Sequence, residues 1–141
     1  MDAVARLRAL GFGDDRARVL AAHFADADAR GKAGHGTARI DWLANLPGLD
    51  PHASPARVEE RAGFERWEGR GAVGYLTLAA ICAAQLECPP EPSRLIAAAD
   101  CFPTGVLGYW ARQLADGGLV AVLTATSPAR LGHPDGGPPL T

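Results

Sequence analysis

From Ala72 to Leu86 the chain is apolar nearly all round a helical circumference, which predicts a helix buried on most of its sides. A helix of that kind cannot stand alone; it needs a layer of other elements to cover it. Its ends are marked. Gly69-Arg70-Gly71-Ala72-Val73-Gly74 leads in, and Pro89-Pro90-Glu91-Pro92 stops it, because proline cannot continue the helical hydrogen bonds. Before it, 57–60 and 64–67 alternate around Ala62-Gly63 and predict a small hairpin with one wet face. After it, 94–99 reads as a buried strand, 105–115 as a helix closed by Gly117-Gly118, and 119–123 as a second buried strand. Helix, strand, helix, strand predicts an α/β layer with parallel pairing.

The first fifty or so residues are helical in pattern. A short helix is expected over 3–10 and a longer one over 14–30, where Ala17, Leu20, Ala21, Phe24 and Ala27 form one apolar stripe. Asp14 and Asp15 suit its first turn. His23 lies beside the stripe and reads as a boundary residue. A third helix is expected over 37–46. The division that follows is an N-terminal helical segment with the hairpin, 1–68, and the start of an α/β domain, 69–141. The Gly- and Pro-rich tail, 130–141, reads as a cut through a loop.

Composition narrows the function. A net charge of −2 and a pI near 6.0 give no electrostatic footprint for nucleic acid or an acidic membrane. No apolar run reaches the roughly 18 residues of a membrane helix, and Met1-Asp2-Ala3 opens no signal peptide, so a cytoplasmic location is expected. Cys82, Cys88 and Cys101 match no metal-ligand spacing and read as buried thiols.

The stretch with the most chemistry is Gly34-His35-Gly36-Thr37-Ala38-Arg39. An imidazole and a guanidinium at one helix start can act together on a small anion: Arg holds a carboxylate bidentately, and His titrates near neutrality. The same residues also make a helix-entry turn with a surface histidine and a solvated arginine. Two other motifs carry less. Gly69 to Gly74 matches the dinucleotide pattern G-x-G-x-x-G. Yet its preceding strand, Phe64-Glu65-Arg66-Trp67-Glu68, is charged, and the acid expected about 20 residues on is misplaced, since Glu91 sits in the proline loop and Asp100 falls later. His133-Pro134-Asp135 holds two ligand types without a third, and reads as a solvated turn.

These residues, taken in order, resemble the malate/L-lactate dehydrogenase family of the non-Rossmann type, which includes ureidoglycolate and sulfolactate dehydrogenases. The resemblance rests on Ala27-Asp28-Ala29-Arg30-Gly31, Gly34-His35-Gly36 with Arg39, and Gly71 to Gly74 leading into the long helix. It continues through Gly105-Val106-Leu107-Gly108-Tyr109-Trp110, and Ser127-Pro128 running on to Pro134-Asp135-Gly136-Gly137. It implies an oxidoreductase that uses NAD or NADP on a small 2-hydroxy acid or 2-keto acid, as a cytoplasmic homodimer. His35 would be the catalytic residue at the substrate and Arg39 its carboxylate partner; Ser127 and Gly105 would lie on the cofactor side. The sequence departs from the family at three places. Gly34 stands where the family has Ser. A second family histidine falls on Pro103, or on Cys101 in another register. The family continues into Gly-Thr-Asn-Pro, which this chain lacks, so the chain reads as an N-terminal portion or a truncated homologue, with activity of the chain alone not expected. The alternative is a non-catalytic interaction or dimerisation module that keeps the fold and not the chemistry.

Overall fold

The computed structural model describes residues 2–126. Helix α1 spans Ala3–Ala9, α2 Asp14–Ala29 and α3 Arg39–Ala44, the last preceded by a single 3-10 turn, Ala33–His35. Strand β1 (Ala56–Arg61) and strand β2 (Phe64–Glu68) form the expected antiparallel hairpin, with an irregularity between Arg57 and Glu59. Helix α4 (Gly74–Glu87) then crosses over to strand β3 (Leu95–Ala99), which pairs parallel to β2; α5 (Leu107–Asp116) follows. The sheet order is β1-β2-β3. A parallel pair requires such a crossover, and the apolar α4 supplies it.

The core forms where α1, α2, α3, α4 and α5 meet, around Leu7, Leu20, Phe24, Leu43, Tyr75 and Trp110. The stripe expected on α2 is buried in full, from Ala17 to Ala27. On α4 the burial is one-sided: Tyr75, Leu76, Ile81 and Cys82 are covered, whereas Ala83 and Leu86 face outward.

Several sequence expectations need correction. Of the three thiols only Cys82 is buried; Cys88, at the end of α4, is exposed and Cys101 is half-buried. β3 is a strand but not a buried one: among the described residues it pairs only with β2, at the sheet edge, and Leu95 keeps 68% of its surface exposed. The segment 119–123 joins no ladder among the described residues, and so is not the second buried strand expected. Leu119, Ala121 and Leu123 lean on the core while Val120 and Val122 project outward, so the two-residue alternation is present without a ladder. His23 is no boundary residue. It is fully buried.

The inner face of β2 carries a carboxylate. Glu65 has no exposed surface, and accepts hydrogen bonds from Trp67 Nε1 (2.8 Å), Gln85 Nε2 (3.1 Å) and Arg57 (3.0 Å), with Arg94 at 3.2 Å. Burial would raise its pKa; the indole bond and the Arg57 bond and charge more than offset this and hold it below the usual value. The network ties β1, β2, α4 and the approach to β3 together.

Candidate active site

The turn bearing His35 is built by backbone closure. After α2, Gly31 takes a left-handed φ of 70°, and Lys32 N–H returns to the Ala27 carbonyl at 2.8 Å. His35 N–H bonds the Lys32 carbonyl, and Gly36 N–H that of Ala33, giving the 3-10 turn. Asp28 then takes both the N–H and the hydroxyl of Thr37, at 3.0 and 2.7 Å. Gly36 packs so closely on this carboxylate that a Cβ would collide with it. The two expected residues leave this turn together: His35 half-buried, and Arg39 opening α3.

Arg39 donates from Nε to the Gly34 carbonyl at 2.7 Å and lies over the Trp42 ring, 4.8 Å from its centroid. Among the described residues its terminal nitrogens make no hydrogen bond. They retain the fork that suits a carboxylate. The pKa of His35 is lowered, first by burial, then by the charges of Arg39 and Lys32. At neutral pH the ring is therefore neutral, a proton acceptor rather than a donor of charge.

The loop after β3 comes back over this turn. Phe102 meets Trp42 edge to face, with ring centroids 6.1 Å apart. Cys101 donates to the Gly74 carbonyl at 3.7 Å, and burial pushes its thiol up to about 11. Pro103 is buried. Whichever of the two occupies the position of the second family histidine, it offers no titrating group near pH 7.

Gly105 faces inward. A Cβ there would strike Tyr75 and the His23 imidazole, and its φ is 69°. The adjoining Val106 N–H donates to His23 Nε2 at 2.9 Å. Gly71, the middle glycine of the G-x-G-x-x-G match, gives its N–H to the Asp100 carboxylate at 2.6 Å. Both glycines thus have packing or hydrogen-bonding reasons within the chain. Ser127 and His133-Pro134-Asp135 lie outside those residues.

Sequence reading missed His23, Trp42 and Phe102. His23 sits in a cage of Phe24, Tyr75, Tyr109 and Trp110, with ring centroids 4.9 to 5.7 Å away. Only Trp42 left a signal, three residues after Arg39 on the same short helix.

Comparison with known proteins bears on the family and the fold. A family model described as malate/L-lactate dehydrogenase matches residues 3–140. Malate dehydrogenase from Pyrococcus horikoshii OT3 superposes with a TM-score of 0.74 at 21% identity, over 82% of this chain and 34% of that one. For malate dehydrogenase from Entamoeba histolytica the values are 0.73 and 19%, again over 82% and 34%. For sulfolactate dehydrogenase from Methanocaldococcus jannaschii they are 0.69 and 19%, over 78% and 33%. At these identities the structures show a common fold, and the chain spans about a third of their length. No curated protein sequence matches it. Among the described residues no helix is long and apolar enough to cross a membrane. With the family model covering nearly all of the sequence, the chain belongs to the malate/L-lactate dehydrogenase family.

Proposed function

We propose that this chain carries the substrate-binding part of an NAD- or NADP-dependent 2-hydroxy acid dehydrogenase. The observation that carries the reading is the shared turn of His35 and Arg39, with the guanidinium aimed by Gly34 and Trp42 and its terminal nitrogens left for a ligand. Arg39 takes the substrate carboxylate as a bidentate pair. His35, neutral at physiological pH, accepts the proton of the 2-hydroxyl as the alcohol is oxidised, and returns it in the reverse direction. The hydride belongs to the nicotinamide. The steps assigned to this chain's own residues are orientation and proton transfer. The working unit in this reading is a cytoplasmic homodimer.

Mixing the chain with NADH or NADPH and a panel of 2-keto acids, and following nicotinamide absorbance and equilibrium binding separately, tests the reading. Keto-acid binding that Arg39→Ala abolishes at unchanged melting temperature supports a substrate site; binding indifferent to Arg39 overturns it.

The second reading is a non-catalytic interaction or dimerisation module. It is favoured by the loop after β3, where Pro103 and a high-pKa Cys101 stand in place of a titrating histidine. It predicts a lower melting temperature for Arg39→Ala and no keto-acid binding by either form.

A further inference from the structure

We infer that His23 latches the segment 100–106: as a neutral imidazole it holds that segment on α2, and protonation releases it while the helical core stands. The segment leaves β3, meets the Trp42 ring at Phe102, and ends at Val106, the N-cap of α5. The Val106 N–H donates to His23 Nε2 at 2.9 Å, across 83 positions of sequence. Gly105 rests on the same ring so closely that a Cβ would overlap it. Trp110 holds the segment as well, its Nε1 donating to the Thr104 carbonyl at 2.9 Å.

An imidazole accepts at Nε2 only while that nitrogen carries no proton. Once protonated it turns an N–H toward the Val106 N–H, and two donors meet where one bond stood. The groups that bear on the ring give this charge little relief. Asp26, on α2 itself, is taken by Arg30 and Arg112. Arg112 on α5 and His35 on its turn add positive charge, and Tyr75 on α4 and Tyr109 on α5 are phenols that burial keeps neutral. The ring cage responds differently. An aromatic face attracts a cation, so Trp110, its plane 23° from that of the imidazole, favours the charged ring staying in place. The cost of the proton falls on the Val106 contact rather than on the packing of α2. Burial first, and the charge of His35 next, hold the latched imidazole at about 4 against an ordinary 6.5. Between those values each pH unit of acid favours the released segment up to about tenfold, because the released ring takes the proton that the latched one refuses. Release also parts Phe102 from the indole that carries Arg39.

Amide hydrogen exchange of the whole chain between pH 6.5 and 4.5, corrected for the intrinsic effect of pH on exchange, tests the latch. Protection of the Val106 N–H is expected to fall about tenfold per pH unit, and at each pH to lie below that of Leu20 and Leu43 in the core, since release precedes unfolding. The Trp42 indole N–H resonance should shift over the same range. In His23→Gln, which offers Val106 an acceptor that does not titrate, Val106 protection should stay level. Val106 exchanging no faster than Leu20 overturns the latch, because the segment then leaves only with the whole fold. Protection that is level in the unsubstituted chain, or a fall that persists in His23→Gln, overturns it equally.

Discussion

The Asp28 carboxylate reaches forward nine residues to Thr37, accepting its backbone N–H at 3.0 Å and its hydroxyl at 2.7 Å. These two bonds lower the Asp28 pKa and close the turn from which His35 projects. Gly36 touches the carboxylate with no room for a side chain. Gly36→Ala is therefore expected to displace Asp28 and lower Tm by about 5 °C. In an Asp28→Ala background the same change should be nearly neutral, because the clash and the bonds vanish together. Thermal unfolding of the four proteins in the cycle measures this; additive effects would show that the two residues do not act as one clasp.

A second expectation concerns Glu65, whose buried carboxylate gathers an indole, an amide and two guanidinium groups. Removing one partner of a buried ion pair leaves the others desolvated without compensation. Glu65→Ala is expected to cost about 3 kcal/mol by urea denaturation. The pH dependence has a definite sign. Because the native pKa is lowered, the carboxylate's stabilisation is complete above its unfolded value of 4.5 and is lost as pH falls below that. Glu65→Gln should flatten the stability curve in that acid range only.

What the sequence made legible was whatever depends on short-range pattern. The α4 helix, the hairpin across Ala62-Gly63 and the α2 stripe each follow from pattern along one element, and each is found, although α4 is buried on one side only. The α/β class followed from their order. Burial that depends on partners far along the chain was not legible. His23 and Glu65 look like surface residues because the rings and cations that enclose them come from Tyr75, Tyr109, Trp110, Gln85 and Arg94. Strand pairing was equally hidden. Leu119 to Leu123 has the composition of a strand, but composition does not say whether a neighbouring ladder is present to receive it. At the site, the placement of His35 and Arg39 on one turn could be read from spacing; the ring contact of Trp42 with Phe102 could not, since sixty residues separate them.

Gly105 gives a third expectation. Its left-handed φ of 69° and its contact with Tyr75 and His23 leave no tolerance for a Cβ. Gly105→Ala combines backbone strain with overpacking and is expected to cost about 3 kcal/mol or more. The loss of the Val106-to-His23 hydrogen bond should be visible as faster exchange of the Val106 amide. A slowly exchanging amide in a stable variant would refute the packing account.

The last expectation is a titration. His23 is fully buried on α2, and its pKa is lowered from 6.5 to about 4, first by burial and next by the charge of His35. Asp26 acts in the opposite direction; Arg112 on α5 adds to the lowering. The rings of Tyr75, Tyr109 and Trp110 close the remaining sides. With Nε2 accepting from Val106, the neutral ring carries its proton on Nδ1, which has no partner among the described residues. The unfolded chain takes up a second proton near pH 6.5 and the folded one only near 4. Stability is thus fully present above 6.5 and falls as pH drops toward 4, by about 3 kcal/mol at about 1.36 kcal/mol per pH unit. The window opens two pH units above that of Glu65 and overlaps it only below 4.5, so the two are separable between 6.5 and 4.5. His23→Gln, which keeps an acceptor for Val106 but does not titrate, should be less stable at pH 8 and should lose the slope between 6.5 and about 4. Denaturant unfolding at half-unit pH steps provides the comparison, and an unchanged slope in the variant would assign the acid sensitivity to other groups.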